Sequence, residues 1–415
     1  MGSKSSYKLP VFYIIAFIYL FLTMFVPDSY RVIRLGVLLV LFFLPFLKVD
    51  YFFIKFDKLG FFILFTYITF NFISSVHGMF VGAPGAFRVL TADILWPLLM
   101  FFIGIKISKQ NDYDYMMKFI VYTGAIISIW DLWYCLGQLN LIAFPLLLNS
   151  VDLNYMFGSY GLFCQYSTTH MVSIIFSIPF TIAYLLNYKR NRKLFIIFLP
   201  IEFIVVLMSG RAALQCISFA SLFYVPFLQM LVSRKKIKYV KFFFLLSAVG
   251  ICLLLFVFSY LEDVVTYVRM KIINSINDTE SVDSTRFFQV KYLFEGFFEH
   301  PFWGNGTGSY TTKVIRDIES PWNYEMFYHA LLFQKGAIGF LLFISQIIYI
   351  FHRFFKKIKM KLLSERIAIP ILVGLTAILI ASIVDPYIYK LGCIWILYLP
   401  YALAITSKER KINVN

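Results

Sequence analysis

The residues of this chain whose types and spacing suit chemistry crowd into one stretch, 283–339. It opens with Asp283, Ser284, Thr285 and Arg286, and it turns on glycines at 304, 306 and 308. It ends in an apolar run whose entrance carries Glu325 and His329. A spacing of four puts those two on one face of a helix. A carboxylate or imidazole facing a cavity there can take the proton from a hydroxyl. A glutamate at a helix N-terminus serves equally as a partner of the helix dipole, and His329 equally as an interfacial histidine. Asp283, close to Arg286, is a third candidate base. Gly304, Gly306 and Gly308 let the backbone take positive φ or approach a ligand closely. A tight surface loop would use the same residues.

The second set of candidates is cationic. Arg211 lies in MSGRAALQ, where two apolar runs meet almost without a loop. An arginine there is costly unless it has a partner or a function. It is read either as a boundary arginine snorkelling to water or as an anion clamp beside a helix N-terminus. Arg286 and, more weakly, Arg88 after GAPGAF complete the set. Guanidinium groups around one cavity suit a diphosphate, because each fork pairs two phosphate oxygens.

The elements that must position these residues are membrane helices. Of 415 residues, 60% are hydrophobic and 14% charged. Apolar runs of about 17–25 residues are membrane-span candidates. They fall at 11–27, 31–47, 60–77, 89–107, 115–136, 170–187, 194–209, 212–232, 240–260, 325–351, 367–385 and 389–406. The expectation is an all-α polytopic integral membrane protein of about twelve transmembrane helices with a large late loop. Residues 1–260 form a first set of helices with a loop at 137–169. Residues 261–324 form the large loop, and 325–415 the last helices. The opening MGSKSSYKLP leads into a retained first helix, not a cleaved signal. If the N-terminus is inside, alternating segments gather 26 of the 38 basic residues on that side, as the positive-inside rule requires. Both termini are then cytoplasmic and both long loops are outside. The net charge of +16 is therefore a topology signal, and a nucleic-acid partner is rejected. Loop 137–169 has no Lys or Arg and is rich in Tyr and Asn. Residues 262–277 read as an amphipathic helix, either along the membrane surface or packed on its own loop.

No His or Cys cluster suits a metal, and neither a metal nor a cofactor is expected. P-loop and Rossmann signatures are absent. Of the five cysteines, Cys135 and Cys164 stand at the two ends of one loop, where pairing is open.

Residues 286–339 resemble the O-antigen polymerase and O-antigen ligase superfamily (Wzy and WaaL). Carrying the resemblance are Arg286, His300-Pro301, the turn Gly304-Asn305-Gly306-Thr307-Gly308, Gly336 with Gly339, and the earlier Ser209-Gly210-Arg211. The match covers about a fifth of the chain. Where the ligases place a His-Asn pair, this chain has Glu325-Met326, which favours the polymerase side. The resemblance implies a polymerase of undecaprenyl-diphosphate-linked oligosaccharide repeat units, acting on the periplasmic face of a bacterial inner membrane. Arg211, Arg286 and Arg88 would hold the diphosphate, and Glu325 would activate the acceptor hydroxyl. Membrane lipid and a chain-length regulator are the further partners it allows. The alternatives are a ligase to lipid A–core and, from another class, a lipid-linked sugar flippase. A flippase should carry charges at mid-membrane, for which Asp93 and Glu202 are the residues to watch.

Overall fold

The computed structural model describes residues 11–27, 30–43, 56–107, 110–143, 156–160, 163–188, 192–209, 211–232, 282–390 and 392–406. The described chain is mostly helical. Its helices are α1 (Val11–Phe25), α2 (Arg31–Phe43), α3 (Lys58–Phe80), α4 (Ala86–Ile107), α5 (Gln110–Gln138), α6 (Met171–Asn187), α7 (Arg192–Met208), α8 (Ala212–Val232), α9 (Val282–Glu299), α10 (Phe327–Lys359), α11 (Glu365–Ala381) and α12 (Ile394–Ile405). Among the described residues, five helices are long and apolar enough to cross a membrane, namely α3, α4, α8 (its Ala213–Val232 part), α10 and the Tyr113–Gln138 part of α5. The chain is an all-α membrane protein in that sense. A helix stands at each expected apolar run except 240–260, which lies outside the described residues, as does the amphipathic segment 262–277.

Three departures from the sequence reading concern the site. First, loop 137–169 carries an antiparallel hairpin, β1 (Met156–Tyr160) with β2 (Phe163–Ser167), in register Met156↔Ser167 to Tyr160↔Phe163. Tyr166 also bridges Ser209 in parallel, so the hairpin lies against the start of the α7–α8 connection. Second, Arg286 is not in a loop but on α9, which packs against α10. Third, α10 begins at Phe327, after Glu325, and is broken by Gly336 at φ 62°, ψ −170°. Glu325 and His329 therefore do not share a helical face.

The core of the bundle is built by α6, buried almost all round against α11 and α8, and by α4, whose second half packs on α12. Small residues allow the close approach. A side chain at Gly104 would stand 2.6 Å from Ala402 Cβ. At one end of the bundle Asp57 caps α3, accepting from the Gly60 amide at 3.3 Å. There Asp57 accepts from Tyr349 Oη at 2.8 Å and pairs with Arg353 at 3.4 Å. Lys357 donates to the carbonyls of Leu403 and Thr406 in the same region. The opposite end of α3 meets the segment 300–326 and the site.

Candidate functional site: a cationic cavity at one end of the bundle

The glycine-rich turn is buried, and what it approaches is the protein's own backbone. Thr307 donates its amide to Ser74 O at 3.1 Å, and the two hydroxyls meet at 2.8 Å. Gly308 has φ +77°, and a Cβ there would stand 2.2 Å from the Gly85 carbonyl carbon. On the other side Asn305 is hydrogen-bonded to the Phe333 carbonyl, and Ala337 donates to Pro301 O. The turn thus locks the end of α3, the start of α4 and the break in α10 into one unit. None of its glycines lines the cavity described next.

Around this lock lies a cavity of about 630 Å³. Four cations line it: Arg88 from the first turn of α4, Arg211 from the α7–α8 connection, Arg316 from the 300–326 segment, and Lys390 from the α11–α12 connection. Asp385 is the carboxylate on its wall, and Trp96, Trp322, Tyr324 and Tyr389 are its aromatic lining. Val32 and Leu35 of α2 continue the wall as apolar surface.

Each cation is oriented by a neighbour. Arg211 donates Nε to Ser167 Oγ of β2 at 3.2 Å and Nη1 to Tyr387 Oη at 3.1 Å. Its other contact is Asp385 at 3.5 Å, and Lys390 reaches the second oxygen of Asp385 at 3.6 Å. These are long, loose ion pairs. Burial, with the charge of Asp385, pushes the Tyr387 hydroxyl up to about 12. It therefore stays protonated and accepts from Arg211 with one lone pair. Arg88 donates to Ser320 Oγ at 3.3 Å. Arg316 pairs with Glu325 at 3.0 Å.

The residues expected to act together are divided between this cavity and its surroundings. Arg88 and Arg211 line it. Arg286 does not; its Nε is bound to Glu325 Oε2 at 2.6 Å. Glu325, 12% exposed, is held between Arg286 and Arg316 and is not part of the cavity wall. His329 is half-buried with its ring against Phe294, centroids 4.9 Å apart, and its Nδ1 is buried without a hydrogen-bond partner. It does not line the cavity either. Asp283 stands in the first turn of α9, and its side chain lies outside the described residues, as does that of Cys164. Among the described residues no group of His, Cys, Asp or Glu is placed to hold a metal.

Sequence reasoning missed Asp385, Lys390, Arg316 and Lys335. Lys335 is buried beneath the cavity, next to the Gly336 break. Its ammonium donates to Asp93 at 2.5 Å, to Asn71 at 2.7 Å and to Tyr389 at 2.9 Å. Asp93 sits in a wide π turn, Thr91–Leu95, which interrupts α4; such turns re-aim side chains. A lone lysine inside the apolar run 325–351 was a readable signal. Asp385 and Lys390 stood at the edges of apolar runs and carried none.

No protein-family model matches the chain, and no curated protein matches it.

Proposed function

We propose that this protein is a membrane glycosyltransferase that uses a lipid-diphosphate-linked oligosaccharide as donor, and within that class a polymerase of surface-polysaccharide repeat units. The observation that carries this reading is the convergence of Arg88, Arg211, Arg316 and Lys390 on one cavity at an end of an apolar helical bundle. Asp385 is shared by Arg211 and Lys390, and Arg316 is paired with Glu325, so four cavity cations face two carboxylates, and the surplus fits a multiply charged anion. The apolar wall from α2 suits a ligand with a lipid tail, and tryptophan and tyrosine faces suit sugar rings.

In this reading an acceptor hydroxyl oxygen attacks the anomeric carbon of the donor. The bond from that carbon to the diphosphate oxygen breaks, and its electron pair leaves with the diphosphate. The cavity cations stabilise that growing charge, an effect worth several kcal/mol where donors are held in place beforehand. The proton of the hydroxyl passes to Asp385, the carboxylate on the cavity wall. Glu325, with each oxygen bound by a guanidinium, serves the architecture of that wall. The reading includes about twelve crossings, cytoplasmic termini and a periplasmic cavity in a bacterial inner membrane. Transfer of finished polymer to lipid A–core is the alternative acceptor chemistry for the same site.

A second reading, a flippase for lipid-linked sugars, draws on the buried Lys335–Asp93 pair, because ionised groups inside a bundle mark transport pathways. One experiment separates the two. Purified protein is reconstituted with lipid-linked repeat units offered on both leaflets. A ladder of polymer supports the transferase. Loss of repeat units from one leaflet without any new glycosidic bond overturns it in favour of transport.

A further inference from the structure

Arg316 belongs to two sites at once. It lines the cavity with Arg88, Arg211 and Lys390, yet its Nη2 is bound to Glu325 Oε1 at 3.0 Å. Glu325 does not depend on it. Arg286 holds the other oxygen at the shorter distance of 2.6 Å, from the rigid helix α9. The two arginines differ in freedom as well. Both side chains are partly exposed, but Arg316 stands in irregular chain, two residues from Ile318, one of the most exposed apolar residues, whereas Arg286 stands on a helix. The same segment supplies Ser320 to Arg88. Two of the four cavity cations are therefore tethered to residues 316–325, one to a carboxylate and one to a hydroxyl.

We propose that Arg316 is a ligand-recruited anion-binding residue, and that Glu325 is the internal anion it leaves. An entering phosphate offers the guanidinium two parallel hydrogen bonds and more charge than one carboxylate oxygen. The exchange leaves Glu325 still paired with Arg286, so no carboxylate is stranded. It draws residues 316–320 over the bound anion, with Arg88 and Ser320 on the same side, while Glu325 stays on Arg286. Glu325 thereby sets the threshold for binding: its attraction for Arg316 is subtracted from the affinity of the ligand. The chemical class recognised is a diphosphate or comparable polyanion. The inference rests on the cavity being an anion site and not on glycosyl transfer.

The test is a double-mutant cycle on the full chain in detergent, with inorganic pyrophosphate as probe and calorimetry as readout. Arg316→Gln should weaken binding about tenfold, the loss of a charge-assisted contact. Glu325→Gln should tighten it about two- to fivefold, the size of a partly exposed ion pair removed as competitor. In the Arg316→Gln background the gain from Glu325→Gln should vanish. A gain that persists there would mean that Glu325 acts through its field alone, which overturns the exchange while leaving the anion site standing. Weaker binding by Glu325→Gln overturns it as well. Absence of pyrophosphate binding by the unaltered chain removes the anion site itself. Should Glu325→Gln fail to fold, Glu325→Asp serves the same cycle, because its shorter arm draws the carboxylate back from Arg316, the longer of its two contacts.

Discussion

Lys335 and Asp93 meet at 2.5 Å although 242 positions separate them in the chain, and both are buried to 1% exposure or less. The pair joins the break in α10 to the π turn of α4, and through Tyr389 it touches the cavity lining. An ion pair out of water costs its desolvation, and removing one partner leaves a charge with no compensation. Lys335→Met or Asp93→Leu alone is therefore expected to destabilise the protein by about 3–5 kcal/mol. Lys335→Met with Asp93→Leu together is expected to recover most of that loss. Thermal unfolding in detergent measures all three. A double variant no more stable than the worse single one would show that the pair is not the cause.

Arg211→Ala and Arg88→Ala are expected to reduce polymer formation by roughly 10- to 150-fold each, the weight of a charge-assisted contact of about 1.5–3 kcal/mol. Arg211→Lys should recover little, since a single ammonium cannot reproduce contacts to Ser167, Tyr387 and a ligand together. Polymer length on gels, with membrane insertion checked by immunoblot, is the measurement. Normal long chains from Arg211→Ala would take that residue out of the site.

Asp385→Asn is expected to remove transfer and retain pyrophosphate binding, because it deletes a base from the cavity wall but no cation. His329→Gln should be mild: its ring lies against Phe294 and away from the cavity. Turnover of lipid-linked repeat units by the two purified variants decides the ranking. An active Asp385→Asn beside a dead His329→Gln would reverse the assignment.

Gly308→Ala is expected to unlock the turn that joins α3, α4 and α10. The left-handed backbone alone costs about 1–3 kcal/mol for a residue with a side chain. The new methyl also meets the Gly85 carbonyl carbon at 2.2 Å. Both a lowered unfolding temperature and weakened anion binding should follow, since Arg88 stands two residues beyond Ala86. Unchanged stability would contradict the close packing.

At the far end of the bundle Asp57 predicts an acid limb of stability. Burial pushes its carboxyl up, but the Tyr349 hydroxyl, the Arg353 charge and the Gly60 amide together hold it below the usual carboxylate value. A pKa lower in the folded than in the unfolded chain gives stability that is present above about pH 4–5. That stability is lost as the pH falls through the folded value. Asp57→Asn should lower the unfolding temperature at neutral pH and flatten its decline in acid. An equally steep decline in the variant would assign the acid limb to other groups.

The chain's apolar spacing determined most of the helical framework by itself. Runs such as 60–77 and 212–232 must be helices wherever backbone groups lack water, and helices stand there. The GxGxG turn, Arg88 and Arg211 were also legible, because glycine clusters and charges are conspicuous in an apolar background. What the glycines pack against was not legible. Gly306 and Gly308 meet Gly78 and Gly85, more than 200 positions away, and Gly304 meets Gln334; a positive φ looks the same in sequence whether it serves a ligand or a backbone contact. Glu325 and His329 were assigned to one face because spacing presumes an unbroken helix. Only the tertiary structure starts that helix at Phe327 and turns Glu325 toward Arg286 and Arg316. Asp385 and Lys390 became site residues for the same reason. A short irregular connection between two apolar helices carries no periodic signal, and its meaning arises only when folding brings it opposite Arg211.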